Sequence, residues 1–206
     1  MNFKNKRILI TAGPTWIAID DVRVISNIAT GETGILLAEK LVRLGAKVTL
    51  LFGCAKKPQI SRKVRLIPFR FFNELKSIIN RELRAKSYNV IIHNAAVSDF
   101  GLRQKKGKVS SAKSIILKLK PLVKIVTLIR RLNKKAKLVI FKLEPRMKDK
   151  ALIDSAKRAM KQSGADLVVA NKLNPYRSFI IDKQSRVVSA RSKPEMACKL
   201  VKIINS

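Results

Sequence analysis

The sequence predicts a three-layer α/β fold, in which helices cover both faces of a mostly parallel central sheet. Short apolar, β-branched runs alternate with segments whose apolar residues recur at helical spacing, and this alternation is typical of parallel sheets. With 206 residues, 47% of them hydrophobic, the chain can bury a core of its own, so residues 1–206 are expected to form one domain. The pattern adds a small extension made of a β-hairpin and a polar flap.

The first βαβ unit has the clearest signals. An apolar run ends at Gly13-Pro14, as a buried strand followed by a turn would. The connection over residues 15–30 is long for a βα loop, and loops of that length tend to be functional. Gly45 stands where a helix C-cap is expected. The unit therefore consists of a strand at 7–12, a helix at 31–44 and a strand at 46–52, in the right-handed arrangement of a Rossmann-like fold.

The remaining elements continue the same alternation. Gly101 to Lys113 is polar and basic, which suits a mobile flap over an anion or a solvated surface loop. Gly164 is expected to cap the helix before the last core strand. The predicted strands lie at 64–68, 89–93, 115–119, 138–141 and 166–170, the hairpin at 179–181 and 186–189, and the helices around 75–83, 122–129, 152–160 and 196–204.

The charge is extreme, with 45 Lys and Arg against 13 Asp and Glu, a formal net charge of +32. Such a balance indicates a polyanionic partner: nucleic acid, a membrane surface or phosphorylated small molecules. Because the basic residues are spread along the chain and aromatic residues make up only 5%, any nucleic-acid binding is expected to be non-specific.

The cysteines, the single histidine and the N-terminus exclude several classes of protein. Cys54 and Cys198 belong to no C-x-x-C pattern, and His93 is the only histidine, so we predict no metal site and two reduced cysteines. The basic N-terminus is followed by an apolar run too short for a signal peptide, and no run reaches transmembrane length. We therefore expect a cytoplasmic protein with no membrane partner.

Three segments should meet at the carboxyl edge of the sheet, where such folds bind ligands: residues 15–34, residues 94–100 and Ala170-Asn171. Gly31 and Gly34 open the first helix, where backbone N–H groups and the helix dipole could cradle a phosphate, although the same glycines also suit an ordinary helix-entry turn. A dinucleotide-dependent reductase fits poorly. The second strand ends without a carboxylate for a ribose, and no Tyr-x-x-x-Lys pair occurs.

Six ordered motifs carry a resemblance to a known family. They are Ile10-Thr11-Ala12-Gly13-Pro14-Thr15, Ile19-Asp20-x-Val22-Arg23-x-Ile25-Ser26-Asn27, Ala95-Ala96-Val97-Ser98-Asp99, Lys108-Val109-Ser110-Ser111, Phe141-Lys142-x-Glu144 and Ala170-Asn171. The chain resembles phosphopantothenoylcysteine synthetase, the phosphopantothenate–cysteine ligase of coenzyme A biosynthesis, over nearly its whole length. That domain is often fused to a flavin-dependent decarboxylase. The resemblance therefore implies a stand-alone synthetase or a domain excised from such a fusion.

The resemblance implies a two-step reaction. A nucleoside triphosphate, CTP in most bacterial members and ATP in animal enzymes, activates the phosphopantothenate carboxylate as an acyl-nucleotidylate and releases pyrophosphate. The amine of cysteine then displaces the nucleoside monophosphate. Mg²⁺ is implied as a cofactor that enters with the triphosphate, held mainly by phosphate oxygens and water. A homodimer with its site near the subunit interface is also implied, whereas a basic nucleotide- or nucleic-acid-binding protein without ligase activity is the alternative.

The resemblance also implies roles for individual residues. Asn27 would handle the acyl-nucleotidylate, and its amide could orient the amine but could not act as a general base near neutral pH. Lys108 would contact the triphosphate from the flap and assist catalysis. Arg23, with Ala95 and Ala96, would bind phosphopantothenate through bidentate and backbone contacts. The implied nucleotide-binding residues are Gly31, Gly34, Asp99, Lys108, Ile125, Val126, Phe141, Lys157 and Lys161.

The sequence departs from the family pattern at four places. Glu32 stands where a lysine is usual, and Lys172 follows Asn171 where aspartate is usual. Trp16-Ile17-Ala18 replaces a charged or polar segment, and the run from Val123 lacks a proline before its helix. These changes are compatible with altered nucleotide preference, with a compensating lysine nearby or with decay toward a pseudoenzyme.

Overall fold

The computed structural model describes residues 2–53, 58–112 and 114–205. In chain order the elements are β1 (Arg7–Ala12), β2 (Trp16–Ala18), β3 (Val24–Ser26), α1 (Glu32–Arg43), β4 (Lys47–Gly53), β5 (Arg65–Phe69), α2 (Phe72–Ala85), β6 (Val90–His93), β7 (Phe100–Gly101), β8 (Lys120–Pro121), α3 (Ile125–Leu132), β9 (Lys137–Leu143), α4 (Asp149–Ser163), β10 (Leu167–Lys172), β11 (Arg177–Asp182), β12 (Val187–Ala190) and α5 (Lys193–Asn205).

The central sheet has eight strands in the order β12-β11-β10-β9-β6-β1-β4-β5. The strands from β10 to β5 are parallel, and β11 and β12 add an antiparallel hairpin at one edge. The predicted Rossmann-like α/β class is therefore confirmed. The chain winds in one direction from β1 to β5 and in the other from β6 to β10, so the carboxyl ends of β1 and β6 border the crevice where such sheets bind ligands.

Alternate residues of β1 pack into the two layers of helices. Ile8 and Ile10 belong to a buried cluster with α1 and α5, and Leu9 belongs to a cluster on the opposite face with α2, α3 and α4. All three side chains are fully buried. A strand covered on both faces must be apolar throughout, which explains why the first run of the sequence shows no polar alternation.

The long connection after β1 contains a small hairpin, in which β2 pairs antiparallel with β3. Gly31 is the N-cap of α1, with φ of 75°, and Gly45 follows the end of that helix with φ of 89°. Both backbones are left-handed, which glycine adopts without steric cost. The predicted start and end of the first helix are thus confirmed.

One predicted strand is wrong. Residues 115–119 form no strand, and pairing in this region is limited to two residues each of β7 and β8. Ile116 is 95% exposed and Leu119 is 46% exposed, so the run has β propensity but neither a partner strand nor a buried face. The helix expected from residue 122 begins at Ile125.

Cys54 and Lys113 lie outside the described residues, whereas Cys198 carries a free, exposed thiol.

Candidate functional site

A cleft of about 540 Å³ lies at the carboxyl ends of the parallel strands. Six stretches of chain line it: the turn after β1, the segment that leads into α1, the loop after β6, the end of β9, the end of β10 with the loop that follows, and the first residue of α5. The described residues that border it include Asn27, Gly31, Glu32, Ala95, Ala96, Asp99, Phe141, Asn171, Tyr176 and Lys193. The cleft therefore stands at the predicted edge, and residues far apart in the sequence converge on it.

Two buried threonines position the loop after β6. The Thr11 hydroxyl oxygen accepts the Ala95 N–H at 3.2 Å, and the Thr15 hydroxyl oxygen accepts the Ser98 N–H at 2.9 Å. The Ala96 N–H donates to the Gly13 carbonyl at 2.9 Å, and the Ala96 carbonyl accepts the Thr15 N–H at 3.3 Å. Ala95 and Ala96 therefore present a backbone held by β1, and their small side chains leave the cleft open.

The glycines that open α1 allow the helix to lie directly on the end of β1. A Cβ on Gly34 would stand 2.2 Å from the Cβ of Ala12, and one on Gly31 would stand 2.5 Å from the ring of Phe52. Gly31 borders the cleft, whereas Gly34 is buried beneath it. The N-terminus of α1 thus faces the cleft with its positive dipole end, an arrangement suited to a phosphate.

Asn27 extends the loop contacts across the cleft. Its side-chain amide donates to the Ala96 carbonyl at 3.1 Å, and the residue is exposed at the cleft wall. The two predicted substrate-side groups, Asn27 and the Ala95–Ala96 backbone, therefore lie in contact, as a site for one ligand requires.

Arg23 and Lys108 do not border the cleft. Arg23 Nε donates to Asp20 Oδ2 at 2.9 Å, and its Nη2 donates to the Val109 carbonyl. The Asp20 carboxylate also accepts the N–H groups of Val22, Arg23 and Val109. Burial alone would raise the pKa of Asp20, but these donors and the Arg23 guanidinium together hold it well below its usual range.

Asp21 fastens the neighbouring part of the flap. Its carboxylate accepts the Gly107 N–H at 2.7 Å and the Gln104 side-chain amide at 2.9 Å. Lys108 therefore stands exposed between two anchored residues, Gly107 and Val109, outside the cleft. We did not predict these anchors. The adjacent pair of aspartates before the Arg23 motif was the only sequence signal.

The predicted nucleotide residues fall into two groups. Phe141 and Asp99 border the cleft, and Asp99 forms an exposed ion pair with Lys124, the N-cap of α3. Ile125 and Val126 open that helix, where Ile125 is a core residue and Val126 packs against the same cluster. Of these four residues, Phe141 and Asp99 therefore border the cleft, whereas Ile125 and Val126 do not.

Lys157 and Lys161 lie on α4, outside the cleft. The helix begins at Asp149, which pairs with Lys172 at the carboxyl end of β10, and it ends at the Gly164 cap before β10 starts. At about 1.5 Å per residue the two lysines stand roughly 12 and 18 Å along the axis from Asp149. Helix α4 therefore carries them away from the cleft of the same chain.

Glu32 and Lys172, which depart from the family pattern, each form an ion pair with a residue distant in sequence. Glu32 borders the cleft and forms an ion pair with Lys193, the first residue of α5, 161 residues later. Lys172 pairs with Asp149 at 2.6 Å. The compensating lysine considered from sequence is thus present for Glu32, but α5 supplies it, so no local pattern could have located it.

Asn171 Oδ1, at the cleft wall, has no partner among the described residues. Burial raises the pKa of Tyr176, although the Ser178 hydroxyl acts to lower it, so the Tyr176 hydroxyl remains protonated near neutral pH. Buried polar atoms without partners are uncommon, so the side chain of Asn171 is suited to contact a ligand or water.

His93, at the end of β6, is neutral near physiological pH because burial lowers its pKa to about 4. Its Nδ1 lies 2.8 Å from the Thr11 hydroxyl, which also accepts the Ala95 N–H. An unprotonated Nδ1 lets that hydroxyl donate to the ring. Within the described part of the chain, no three His, Cys, Asp or Glu side chains are grouped so as to hold a metal ion.

Fold and cleft together define a Rossmann-like domain with a preformed cleft at the carboxyl edge of its sheet. The chain belongs to the family of the DNA/pantothenate metabolism flavoprotein C-terminal domain, whose model matches residues 3–205. This membership confirms the family resemblance drawn from the six motifs. Over residues 2–53, 58–112 and 114–205, no helix has the length and apolar character needed to cross a membrane.

Individual members of the family are similar to this chain in sequence and in structure. The coenzyme A biosynthesis bifunctional protein CoaBC of Thermococcus kodakarensis is 35% identical over 178 residues, which cover 86% of this chain and 44% of that protein. The chain spans about half the length of the curated relatives it matches. The crystal structure of the DNA/pantothenate metabolism flavoprotein from Streptococcus pneumoniae has a TM-score of 0.88 at 28% identity and covers 97% of this chain and 98% of its own.

The crystal structure of the C-terminal domain of CoaBC is also similar, with a TM-score of 0.80 at 26% identity. It covers 98% of this chain and 95% of its own. The similarity therefore extends over a whole domain of these proteins.

Proposed function

We propose that this protein joins 4'-phosphopantothenate to L-cysteine through an acyl-nucleotidylate, as a phosphopantothenate–cysteine ligase of coenzyme A biosynthesis. The observation that carries the proposal is the convergence of Asn27, Ala95, Ala96, Asp99 and Phe141 on one cleft. These residues belong to three of the motifs that resemble the ligase family. Relatives named for coenzyme A biosynthesis support the same assignment.

In the first step, a carboxylate oxygen of phosphopantothenate attacks the α-phosphorus of the nucleotide, and the bond to pyrophosphate breaks. Negative charge is concentrated on the phosphates, so the dipole of α1 and the ammonium group of Lys193 lie where they can stabilise it. We propose that Asp99 and Phe141 contact the nucleoside, with Ile125 and Val126 behind them.

In the second step, the amine of cysteine attacks the activated carbonyl, the bond to the phosphate oxygen of the nucleoside monophosphate breaks, and the proton of the nitrogen passes to water or to the departing phosphate. The side-chain amide of Asn27 can orient the carbonyl and the amine, but it cannot accept the proton near neutral pH. Asn27 is therefore proposed as an orienting group, not as the base.

Mg²⁺ is proposed to enter with the nucleotide. The only carboxylates at the cleft wall, within the described part of the chain, are Glu32 and Asp99, and each is already paired with a lysine. The residues present therefore do not fit a protein cage for the ion, and phosphate oxygens and water would supply most of its ligands.

The proposal includes a homodimer. Arg23, Lys108, Lys157 and Lys161 do not border the cleft of their own chain, so a site that uses them requires a rearranged flap or a second copy. Exposed apolar side chains near the cleft edge support an interface there, and Ile28 is the most exposed of them.

The test is an assay of pyrophosphate release with phosphopantothenate, cysteine and Mg²⁺, run in parallel with CTP and with ATP. We expect release and ligated product only when all components are present, with CTP as the first nucleotide to examine. Release with neither nucleotide would contradict the ligase and favour a binding protein without this activity. The ratio of kcat/KM for CTP and ATP assigns the nucleotide.

A further inference from the structure

The edge of the sheet opposite the cleft carries many basic residues. The parallel strands begin there, and β1, β4, β5 and β9 each start with a basic residue. Those residues are Arg7, Lys47, Arg65 and Lys137. This arrangement is not visible in the sequence, because the four residues are far apart along the chain and meet at one edge only when the parallel strands assemble.

The helices add further basic residues to this edge. Helices α1 to α4 connect strand ends at the cleft to strand starts at the opposite edge, so their last turns lie at that edge. Lys40 and Arg43, Arg84, Arg130 and Arg131, and Lys161 occupy those last turns, whereas Glu32, Glu74 and Asp149 occupy first turns. Bases at helix C-termini complement the helix dipole, but they also add to the charge of the strand starts.

A second concave surface lies at this edge, between the end of α3 and the start of β10. It has a volume of about 480 Å³, and five of the residues that line it are cationic. They are Arg130, Lys134, Lys135, Lys137 and Lys183, and Asp166 is the only carboxylate among the lining residues. We call the strand starts, the last turns of the helices and this hollow the basic edge.

Asp166 leaves most of this charge unbalanced. Its carboxylate already accepts from Arg130 Nη2 at 2.7 Å, from the Leu138 N–H at 2.7 Å and from Lys183 Nζ. Lys134 and Lys135 are exposed, and within the described ranges neither forms an ion pair. The hollow therefore lacks anions, and a ligand with several negative charges would supply them.

We propose that the basic edge binds the phosphodiester backbone of nucleic acid without sequence preference. The parallel part of the sheet is roughly 24 Å wide at about 4.8 Å per strand spacing, and a duplex presents a phosphate about every 1.7 Å over such a length. The apolar side chains of Val22, Ile28 and Val123, which are more than half exposed, belong to segments at the cleft edge. The basic edge is therefore charged but lacks these exposed apolar side chains, and such a surface is better suited to bind a phosphate backbone than to insert into a membrane.

The test is fluorescence anisotropy of a labelled 20-base-pair duplex of mixed sequence, titrated with the full chain between about 50 and 200 mM NaCl. One variant combines Lys134→Gln, Lys135→Gln and Lys183→Gln. A control variant with the same loss of charge combines Lys118→Gln, Lys148→Gln and Lys150→Gln, all exposed residues outside the basic edge. Circular dichroism checks that both variants are folded.

We expect the slope of log Kobs against log salt to become less steep by about 0.9 for each edge lysine that contacts a phosphate, and by much less for the control variant. Affinity at 100 mM NaCl should fall at least tenfold for the edge variant and by less than twofold for the control. The proposal would be overturned if the two variants lost equal affinity for the duplex, or if the wild type showed no saturable duplex binding at 50 mM NaCl. It would also be overturned if the wild type bound phosphatidylserine vesicles more tightly than the duplex.

This proposal does not depend on the ligase. The edge lysines lie at the opposite end of the strands from the cleft, so pyrophosphate release by the edge variant should equal that of the wild type. Duplex binding in a protein that releases no pyrophosphate would leave the basic edge in place and reject only the proposed enzyme.

Discussion

Glu32 and Lys193 meet at the mouth of the cleft with their charges opposed. The Glu32 side chain is 64% exposed and that of Lys193 is 34% exposed, so the pair contributes little to folding stability. Its effect is to place an ammonium group beside the N-terminus of α1. A glutamate at a position where relatives are expected to carry a lysine therefore does not make this cleft acidic, because α5 supplies the cation.

Replacing Lys193 tests whether its ammonium group contributes to nucleotide binding. Lys193→Met should raise KM for the nucleoside triphosphate by about tenfold, since a lost charge-assisted hydrogen bond costs about 1.5 kcal/mol, while Tm changes little. Steady-state kinetics with varied nucleotide measure the effect. Lys202→Met, near the far end of the same helix, is the matched control and should leave KM unchanged. An unaltered KM in Lys193→Met would contradict the role.

The role proposed for Asn27 can be tested independently of the first chemical step. Asn27→Ala removes the amide that donates to the Ala96 carbonyl at 3.1 Å, but it leaves the α1 terminus and Lys193 in place. We expect the acyl-nucleotidylate to form and ligation to stop, which rapid quench with labelled phosphopantothenate would detect as an accumulating intermediate. Undiminished overall turnover would refute the orienting role.

His93 makes stability depend on pH. Its pKa is about 4 in the folded protein against an ordinary 6.5, so the unfolded chain binds more protons between these values. The contribution is therefore complete above pH 6.5 and is lost as pH falls to 4, and it amounts to roughly 3 kcal/mol.

Urea unfolding of the wild type and of His93→Asn at pH 4.5 and pH 7 would measure this contribution. We expect the free energy of unfolding to fall less in the variant over that interval, because Asn keeps an acceptor for the Thr11 hydroxyl but does not titrate. Equal falls in the two proteins would show that His93 does not gain a proton on unfolding.

At the scale of elements, the flap is fastened to the connection after β1. Asp20 and Asp21 together accept backbone N–H groups from Gly107 and Val109, on both sides of Lys108. Because the pKa of Asp20 lies well below its usual range, the Asp20 carboxylate keeps its charge and its contacts throughout the neutral range and loses them only in acid. The flap is therefore a held segment whose position depends on two carboxylates.

Asp21→Asn should loosen the flap without unfolding the domain. Loss of the charge that accepts the Gly107 N–H should raise amide hydrogen exchange at residues 104–108 by about three- to tenfold, since a hydrogen bond to a charged group contributes about 1 kcal/mol or more. Exchange followed by mass spectrometry measures it. Asp154→Asn, on the exposed side of α4, should leave flap exchange unchanged; equal protection in Asp21→Asn would mean that the carboxylate is not the anchor.

At the scale of the whole molecule, exposed apolar side chains lie mainly around the flap and cleft. Ile116 is 95% exposed and Val22 is 67% exposed, and both belong to these segments. The flap also carries exposed Lys105, Lys106 and Lys108, so positive charge is present at both edges of the sheet. The exposed apolar side chains, and not the charge, therefore mark the cleft side as a surface for pairing.

Dimerisation is therefore expected to depend on the apolar side. The wild type should sediment at about twice its chain mass of 23.1 kDa, and Ile116→Asp should shift it toward monomer, because burying a charge at an interface is costly. Val187→Asp, on the edge strand β12, is the control. A wild type that remains monomeric at tens of micromolar would contradict the homodimer.

Much of the fold and part of the site could be predicted from local patterns. The order of strands and helices follows from apolar periodicity, and Gly31, Gly45 and Gly164 mark helix ends where only glycine adopts the left-handed backbone readily. Residues 115–119 were mispredicted because β propensity does not supply a partner strand.

The sequence by itself determined the α/β class, the family and the cleft residues Asn27, Ala95, Ala96, Asp99 and Phe141, since periodicity and ordered motifs are properties of the chain. Only the tertiary structure decided which distant charges meet. It paired Glu32 with Lys193, fastened the flap to Asp20 and Asp21, directed α4 away from the cleft and gathered scattered lysines at one edge. Such contacts depend on strand order and helix direction, which join residues far apart in sequence.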